Sequence, residues 1–158
     1  ADSVSNYFSG ILLLNNNRYD DSLQFLKKLN GLEESHSDYS IKYLYSLVNA
    51  GNLKEAFNYS RKLEKQKRDS FESHLIVGIF YLKDNNLNLA KKYFLKAKNK
   101  KSRFFLNNYV SSSLYNWSSF RNTDINNAKL ALNKLNKRFE NLKEIQNIFL
   151  HITCEKLK

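Results

Sequence analysis

Three histidines, one cysteine and two adjacent carboxylate pairs are the side chains of this sequence with the means to do chemistry. His36, His74 and His151 fall in different segments. His36 sits in a predicted loop and His74 inside a predicted helix, where a packed residue is the expectation and a general base is not. His151 and Cys154, spaced i, i+3, would share one helix face as two metal ligands, but two ligands without a second pair make no site. Asp20-Asp21 and Glu33-Glu34 lie side by side at loops or helix starts, where the helix dipole favours acids, and read as helix-start charges rather than an acid/base couple. No glycine-rich phosphate loop, G-x-S-x-G elbow or H-E-x-x-H helix occurs. The chain is therefore expected to be no enzyme, with no catalytic residue, no metal ligand and no cofactor.

The elements that hold these residues follow from composition. The chain has 158 residues, 42% hydrophobic and 14% aromatic, enough for one domain with a buried core and too apolar for disorder. With no Pro and only Gly10, Gly31, Gly51 and Gly78, it lacks the turn residues that hairpins of an all-β fold of this length require. An all-α fold is expected. Lys and Arg number 26 against 15 acids, a net charge of +11. The densest basic run is Lys91, Lys92, Lys96, Lys98, Lys100, Lys101 and Arg103, with no acid between them. A second, Arg61, Lys62, Lys65, Lys67 and Arg68, is diluted by Glu64 and Asp69. The abundance of Lys and Asn matches the drift of an AT-rich genome, which reads the charge first as solubility and second as an anionic partner. A lone cysteine forms no internal disulfide. The longest early apolar run, Ile11 to Leu14, is too short for a signal core or a transmembrane segment. There is no Met, and the Ala1-Asp2 start suits either a mature exported protein or an excised fragment, so the compartment reads as cytoplasmic or, after removal of a signal peptide, periplasmic.

Three segments beginning at Ser3, Ser37 and Phe71 align without a gap at a period of 34 residues. Gly10, Leu44 and Gly78 fall in register, as do Leu13, Leu47 and Tyr81, then Tyr19, Leu53 and Leu87. Ser22, Ala56 and Ala90 follow, then Phe25, Tyr59 and Tyr93, and Leu29, Leu63 and Ala97. Each block reads as two helices joined at Asn15-Asn16-Asn17-Arg18, Asn49-Ala50-Gly51-Asn52 or Asp84-Asn85-Asn86, residues that tolerate a left-handed helix end. Small residues on both helices let the backbones approach. A fourth block starts at Phe105 and fits its second half after an insertion of about four residues, which puts Ile125 and Ala128 in register, makes Ser118 to Thr123 a longer loop and leaves Thr123 or Asp124 as N-cap. Phe139, Leu142, Ile145, Phe149 and Ile152 share one apolar face of a last helix, with no polar outer face.

The pattern resembles the tetratricopeptide repeat. That family asks for a small residue on the first helix, a Tyr three later, an Ala on the second helix, then an aromatic and a second Ala. Gly10, Gly78, Tyr81, Ala56, Ala90, Phe94 and Ala97 meet these demands. Ser22, Leu44 and Ser60 depart from them, and the family's closing Pro is missing throughout. The resemblance implies a right-handed α-solenoid of antiparallel helix pairs, with repeats at about 3–36, 37–70, 71–104 and 105–138 and a terminal helix at about 139–157. That last helix is either a cap or the first helix of a truncated fifth repeat, and its lack of a polar outer face favours a fragment of a longer array. It also implies a concave groove lined by the first helices, here Tyr7, Ile11, Leu14, Ile41, Tyr45, Val48, Asn49, Leu75, Ile79, Leu82 and Tyr109. This aromatic and aliphatic lining suits an extended or helical peptide held by apolar anchors, so a protein-interaction scaffold is the expected function. The lysines fall on second helices and their exits, on the convex side by the same geometry. A sequence-specific RNA reader is not expected. The alternative is non-specific attraction of nucleic acid or an anionic membrane surface to that side. The apolar terminal helix offers a face for self-association.

Overall fold

A computed structural model describes residues 2–100, 104–120 and 125–155, with side chains through residue 152. The described residues form helices joined by turns, with no strand among them. The α-helices are α1 (Asp2–Asn15), α2 (Tyr19–Leu26), α3 (Ser37–Asn49), α4 (Leu53–Lys65), α5 (Phe71–Lys83), α6 (Leu87–Asn99), α7 (Phe105–Phe120), α8 (Ile125–Asn133) and α9 (Glu140–Glu155). Short 3-10 turns stand at Lys27–Leu29, Leu32–Glu34 and Lys137–Phe139. Two compact units divide the chain, Ala1–Ile76 and Val77–Lys158.

The 34-residue period is written in the backbone. Helices α2, α4 and α6 start at Tyr19, Leu53 and Leu87, and α3, α5 and α7 at Ser37, Phe71 and Phe105. Before each of the first three starts the chain turns through a left-handed residue: Asn17 (φ 58°), Gly51 (φ 76°) and Asn85 (φ 58°). The next residue's N–H then reaches back five positions, Arg18 to the Leu13 carbonyl (2.9 Å), Asn52 to Leu47 (2.8 Å) and Asn86 to Tyr81 (2.8 Å). These bonds satisfy carbonyls that the helix end would otherwise leave unpaired. Two of the helix starts carry side-chain caps: Asn86 Oδ1 accepts from the Leu89 N–H (3.2 Å) at α6, and before α5 the Ser70 hydroxyl accepts from the Ser73 N–H and Ser73 Oγ from the Ser70 N–H, a reciprocal box.

In the first unit α1 and α2 form an antiparallel hairpin whose close approach is set by Gly10. A Cβ there would lie 2.7 Å from Leu26 Cδ2. Ser22, fully buried in α2, donates to the Gly10 carbonyl (2.8 Å) and so keeps its hydroxyl partnered. The core joins Leu23, Leu26 and Leu29 to Leu44, Leu47, Ala56 and Leu63. Each such large apolar side chain removed from water contributes about 1.5–3 kcal/mol.

Three tyrosines complete this core. Tyr39 stacks on Tyr43 (5.7 Å between centroids), and Tyr43 meets Tyr59 edge-on (4.8 Å). Their hydroxyls donate to the Leu26 carbonyl (2.9 Å), Glu55 Oε1 (2.9 Å) and Ser40 Oγ (3.4 Å) respectively. Burial raises all three pKa values, Tyr59 to about 12 and the other two further. A folded pKa above the unfolded value of 10.0 contributes stability that is complete below 10.0 and is lost as pH rises through the folded values. Titrating phenolate absorbance should show these three ionising only together with loss of helical circular dichroism, above pH 10.0; early ionisation in a folded chain would contradict the packing.

The second unit holds the end of α5 and helices α6 to α9. Gly78 repeats the role of Gly10, since a Cβ there would meet Phe94 Cε1 at 2.5 Å. Helix α6 packs on α7, and α7, α8 and α9 gather around Tyr109, Ala128, Leu132, Leu135 and Leu150. Helix α8 begins at Ile125 with Ala128 buried, as the register with its insertion expects. The insertion itself takes another form for Ser118 to Phe120. These residues extend α7 instead of forming a loop, because Phe120 packs edge-on against Trp117 (4.9 Å) on the core and Ser118 is buried, donating to the Tyr115 carbonyl (2.7 Å). Thr123 and Asp124 lie outside the described residues.

Candidate interaction surface

Helix α3 presents its apolar side chains on two faces. Tyr39, Tyr43, Leu44 and Leu47 turn into the core, whereas Ile41, Tyr45 and Val48 stay 36%, 52% and 39% exposed at the helical spacing of one stripe. Between this stripe and the end of α1 lies an open cleft of about 350 Å³, lined by Leu14, Asn15, Asn17, Ile41, Lys42 and Tyr45. Leu14 is buried and forms its apolar lining from the α1 side. Tyr45 is steadied by the edge of Tyr19 (6.2 Å). Asn17 Oδ1 accepts from the Tyr19 hydroxyl (2.8 Å), and Asn49 Nδ2 donates to the Tyr45 carbonyl (2.8 Å). Tyr7 and Ile11 on α1 are half-buried, Tyr7 against the His36 ring (5.2 Å).

The remaining groove residues are placed differently. Leu75 is half-buried in the first unit; Leu82 is half-buried and Ile79 is 47% exposed in the second. Tyr109 is a correction. It is buried in the second core, against the Phe139 ring (4.5 Å), with its hydroxyl accepting from Gln146 Nε2 (2.7 Å), so no groove anchor is available there. Phe139 in turn belongs to the 3-10 turn before α9 rather than to the helix face. On α9, Leu142, Ile145, Phe149 and Ile152 are exposed while Lys143 and Leu150 are buried.

Of the basic run, Lys91, Lys92, Lys96 and Lys98 belong to α6, and Lys100 is its C-cap. Lys101 and Arg103 lie outside the described residues. Lys91 and Lys98 both reach over the Tyr115 ring (5.3 and 5.6 Å), and Lys96 over Tyr93 (4.9 Å). Cation–π attraction gathers these ammonium groups on α6 and α7.

Several of the residues with chemistry in reach are engaged structurally, while Asp20 and Glu34 are exposed and His151 is half-buried on α9. His74 is buried with Nε2 2.8 Å from Asp69 Oδ2, and His36 directly precedes α3. The Cys154 side chain lies outside the described residues, and no group of three His, Cys, Asp or Glu gathers among those described. Asp21 in the first turn of α2 pairs with Arg18 (2.7 Å). Glu33 departs from the sequence reading. It is no solvated helix-start charge: it is 1% exposed, with Oε2 accepting from the Gly31 N–H (2.8 Å) and Oε1 from Lys62 (2.5 Å). Glu55 accepts from Lys27 (2.9 Å) and the Tyr43 hydroxyl (2.9 Å). Burial pushes both carboxyls up, yet the hydrogen bonds they accept outweigh it together with the lysine charges, from Lys62 and backbone N–H groups at Glu33 and from Lys27 and the Tyr43 hydroxyl at Glu55, and hold both below the ordinary value. Carboxylates this fully engaged are fasteners of the fold and poor proton acceptors.

The sequence matches no protein-family model and no curated protein, and the fold matches no solved structure.

Proposed function

We propose that the chain is a tetratricopeptide-like helical-repeat protein, an α-solenoid by architecture, that serves as a protein-interaction module and binds a peptide on its first unit. The observation that carries this reading is the exposed stripe Ile41, Tyr45 and Val48 beside the cleft lined by Leu14. An apolar stripe set among amides is what an extended or helical segment with spaced apolar anchors requires. Tyr45 is the expected hot spot, a large ring with a polar tip at the centre of the patch.

Peptides selected from a random displayed library against the full chain should carry apolar residues at helical or extended spacing. The Ile41→Ser/Tyr45→Asp variant should bind them at least about 10-fold more weakly, the loss of a central anchor being worth roughly 2 kcal/mol. Both positions are exposed, so the melting temperature should hold. Unchanged affinity in the folded variant would refute the assignment.

A further inference from the structure

The excess of positive over negative charge falls in one stretch of the chain. Residues 85–139 contain 12 Lys and Arg against one acid, Asp124, which amounts to the whole net charge of +11; all other residues together hold 14 of each sign. A charge spread by codon bias or by solubility alone would not leave the remainder neutral. This stretch lies within the second unit.

In the same stretch, at the start of α7, three consecutive apolar side chains stand in solvent: Phe104 is 72% exposed, Phe105 54% and Leu106 53%. Such a run on a surface is unfavourable unless something receives it. Its neighbours are cationic. Lys100 precedes it at the end of α6, and the Arg138 guanidinium lies 4.6 Å from the centre of the Phe105 ring. An apolar wedge inside a basic field has two common uses, base stacking and insertion into an acidic bilayer. Leu106, and Leu95 at 41% exposure on α6, have no ring on which a base can stack, whereas aliphatic side chains enter hydrocarbon as readily as aromatic ones. No described helix is long and apolar enough to cross a membrane, which leaves an interfacial mode of contact.

We propose that the start of α7 docks on an anionic lipid bilayer, with Phe104 and Leu106 entering the boundary of headgroups and acyl chains while Lys98, Lys100 and Arg138 meet lipid phosphates. Two weak signals combine here: apolar insertion supplies residence, and the lysines supply attraction that depends on acidic lipid and falls with salt. The proposal is independent of the peptide-binding surface on the first unit.

The test is co-sedimentation of the full chain with vesicles of phosphatidylcholine alone and of equal parts phosphatidylcholine and phosphatidylglycerol. The chain should bind the acidic vesicles and leave the neutral ones in the supernatant. Lys98→Gln/Lys100→Gln should weaken binding by about five-fold per charge removed. Phe104→Ser/Leu106→Ser should weaken it by a further margin at unchanged helical circular dichroism. Should that variant melt early, Phe104→Trp decides: its emission, less that of the native chain with Trp117 alone, should shift to the blue on acidic vesicles. Equal binding to both vesicle types, binding indifferent to the apolar substitutions, or an unshifted emission overturns the proposal. So does binding to a single-stranded oligonucleotide that Phe104→Ser/Leu106→Ser weakens while acidic vesicles go unbound, which would make the surface a nucleic-acid site.

Discussion

Gly78→Leu loses about 3 kcal/mol of folding stability or more, and adding Phe94→Ser to it restores most of that loss. The single substitution fails because even a Cβ at residue 78 would stand 2.5 Å from the Phe94 ring, a fully buried side chain with nowhere to turn. Phe94→Ser alone removes a buried ring and should cost about 3–5 kcal/mol. Two contacting residues of this kind are not additive, so the double variant should be more stable than either single one. The chain itself contains the exchanged pair. One repeat earlier, 34 residues back, the position of Gly78 holds Leu44 and that of Phe94 holds Ser60, both about 1% exposed. The first repeat has Gly10 and Leu26 at the same two places. Large against small is thus kept while the partners trade sides. Urea denaturation of the four proteins checks this; additive losses would show that the two side chains do not share one space.

The second large effect is Lys62→Met, expected to lose about 2 kcal/mol at neutral pH, since it leaves the Glu33 carboxylate buried without its cation. Lys62 is half-exposed, which keeps the loss below that of a fully buried pair. In the native chain the Glu33 pKa lies below the ordinary 4.5, so its contribution to stability is complete above 4.5 and is lost as pH falls through the folded value. Without Lys62 the largest influence left is burial, which raises the pKa. The gap in stability between native chain and variant should therefore be widest above pH 4.5 and close on acidification. Replacing both members, Glu33→Gln/Lys62→Met, should recover much of the loss at neutral pH. Urea midpoints across the acid range give the comparison, and a gap constant with pH would remove Glu33 from the account.

The period of 34 is legible in the residues because backbone approach and left-handed turns admit few side chains. Gly10, Gly78, Ala56 and Ala90 mark the first, and Asn17, Gly51 and Asn85 the second. Leu44 and Ser60 look like two departures from the pattern when read one at a time, and only the space they share reveals a single exchange. Periodicity says which side chains lie on one face but not what covers that face. Tyr109 and Tyr45 both follow the helical spacing; one is capped by Phe139 and Gln146, the other is left in solvent. Glu33 carries no local mark at all. Its partner Lys62 is 29 residues away, and Glu33-Glu34 reads like any exposed acidic pair. The end of α7 was hidden for a related reason: the repeat register leaves Ser118 to Thr123 as inserted residues between two helices, while Phe120 closing on Trp117 carries the helix on.

The turn bonds at Arg18, Asn52 and Asn86 join residues only five apart, and each lies wholly inside its own hairpin. A hairpin therefore carries its own instruction to stop, reverse and start again, and waits for nothing made later. Such a chain can take shape from its amino end while the ribosome is still adding the rest. With no proline among 158 residues, no stage of that order is held for the tens of seconds that prolyl isomerisation takes.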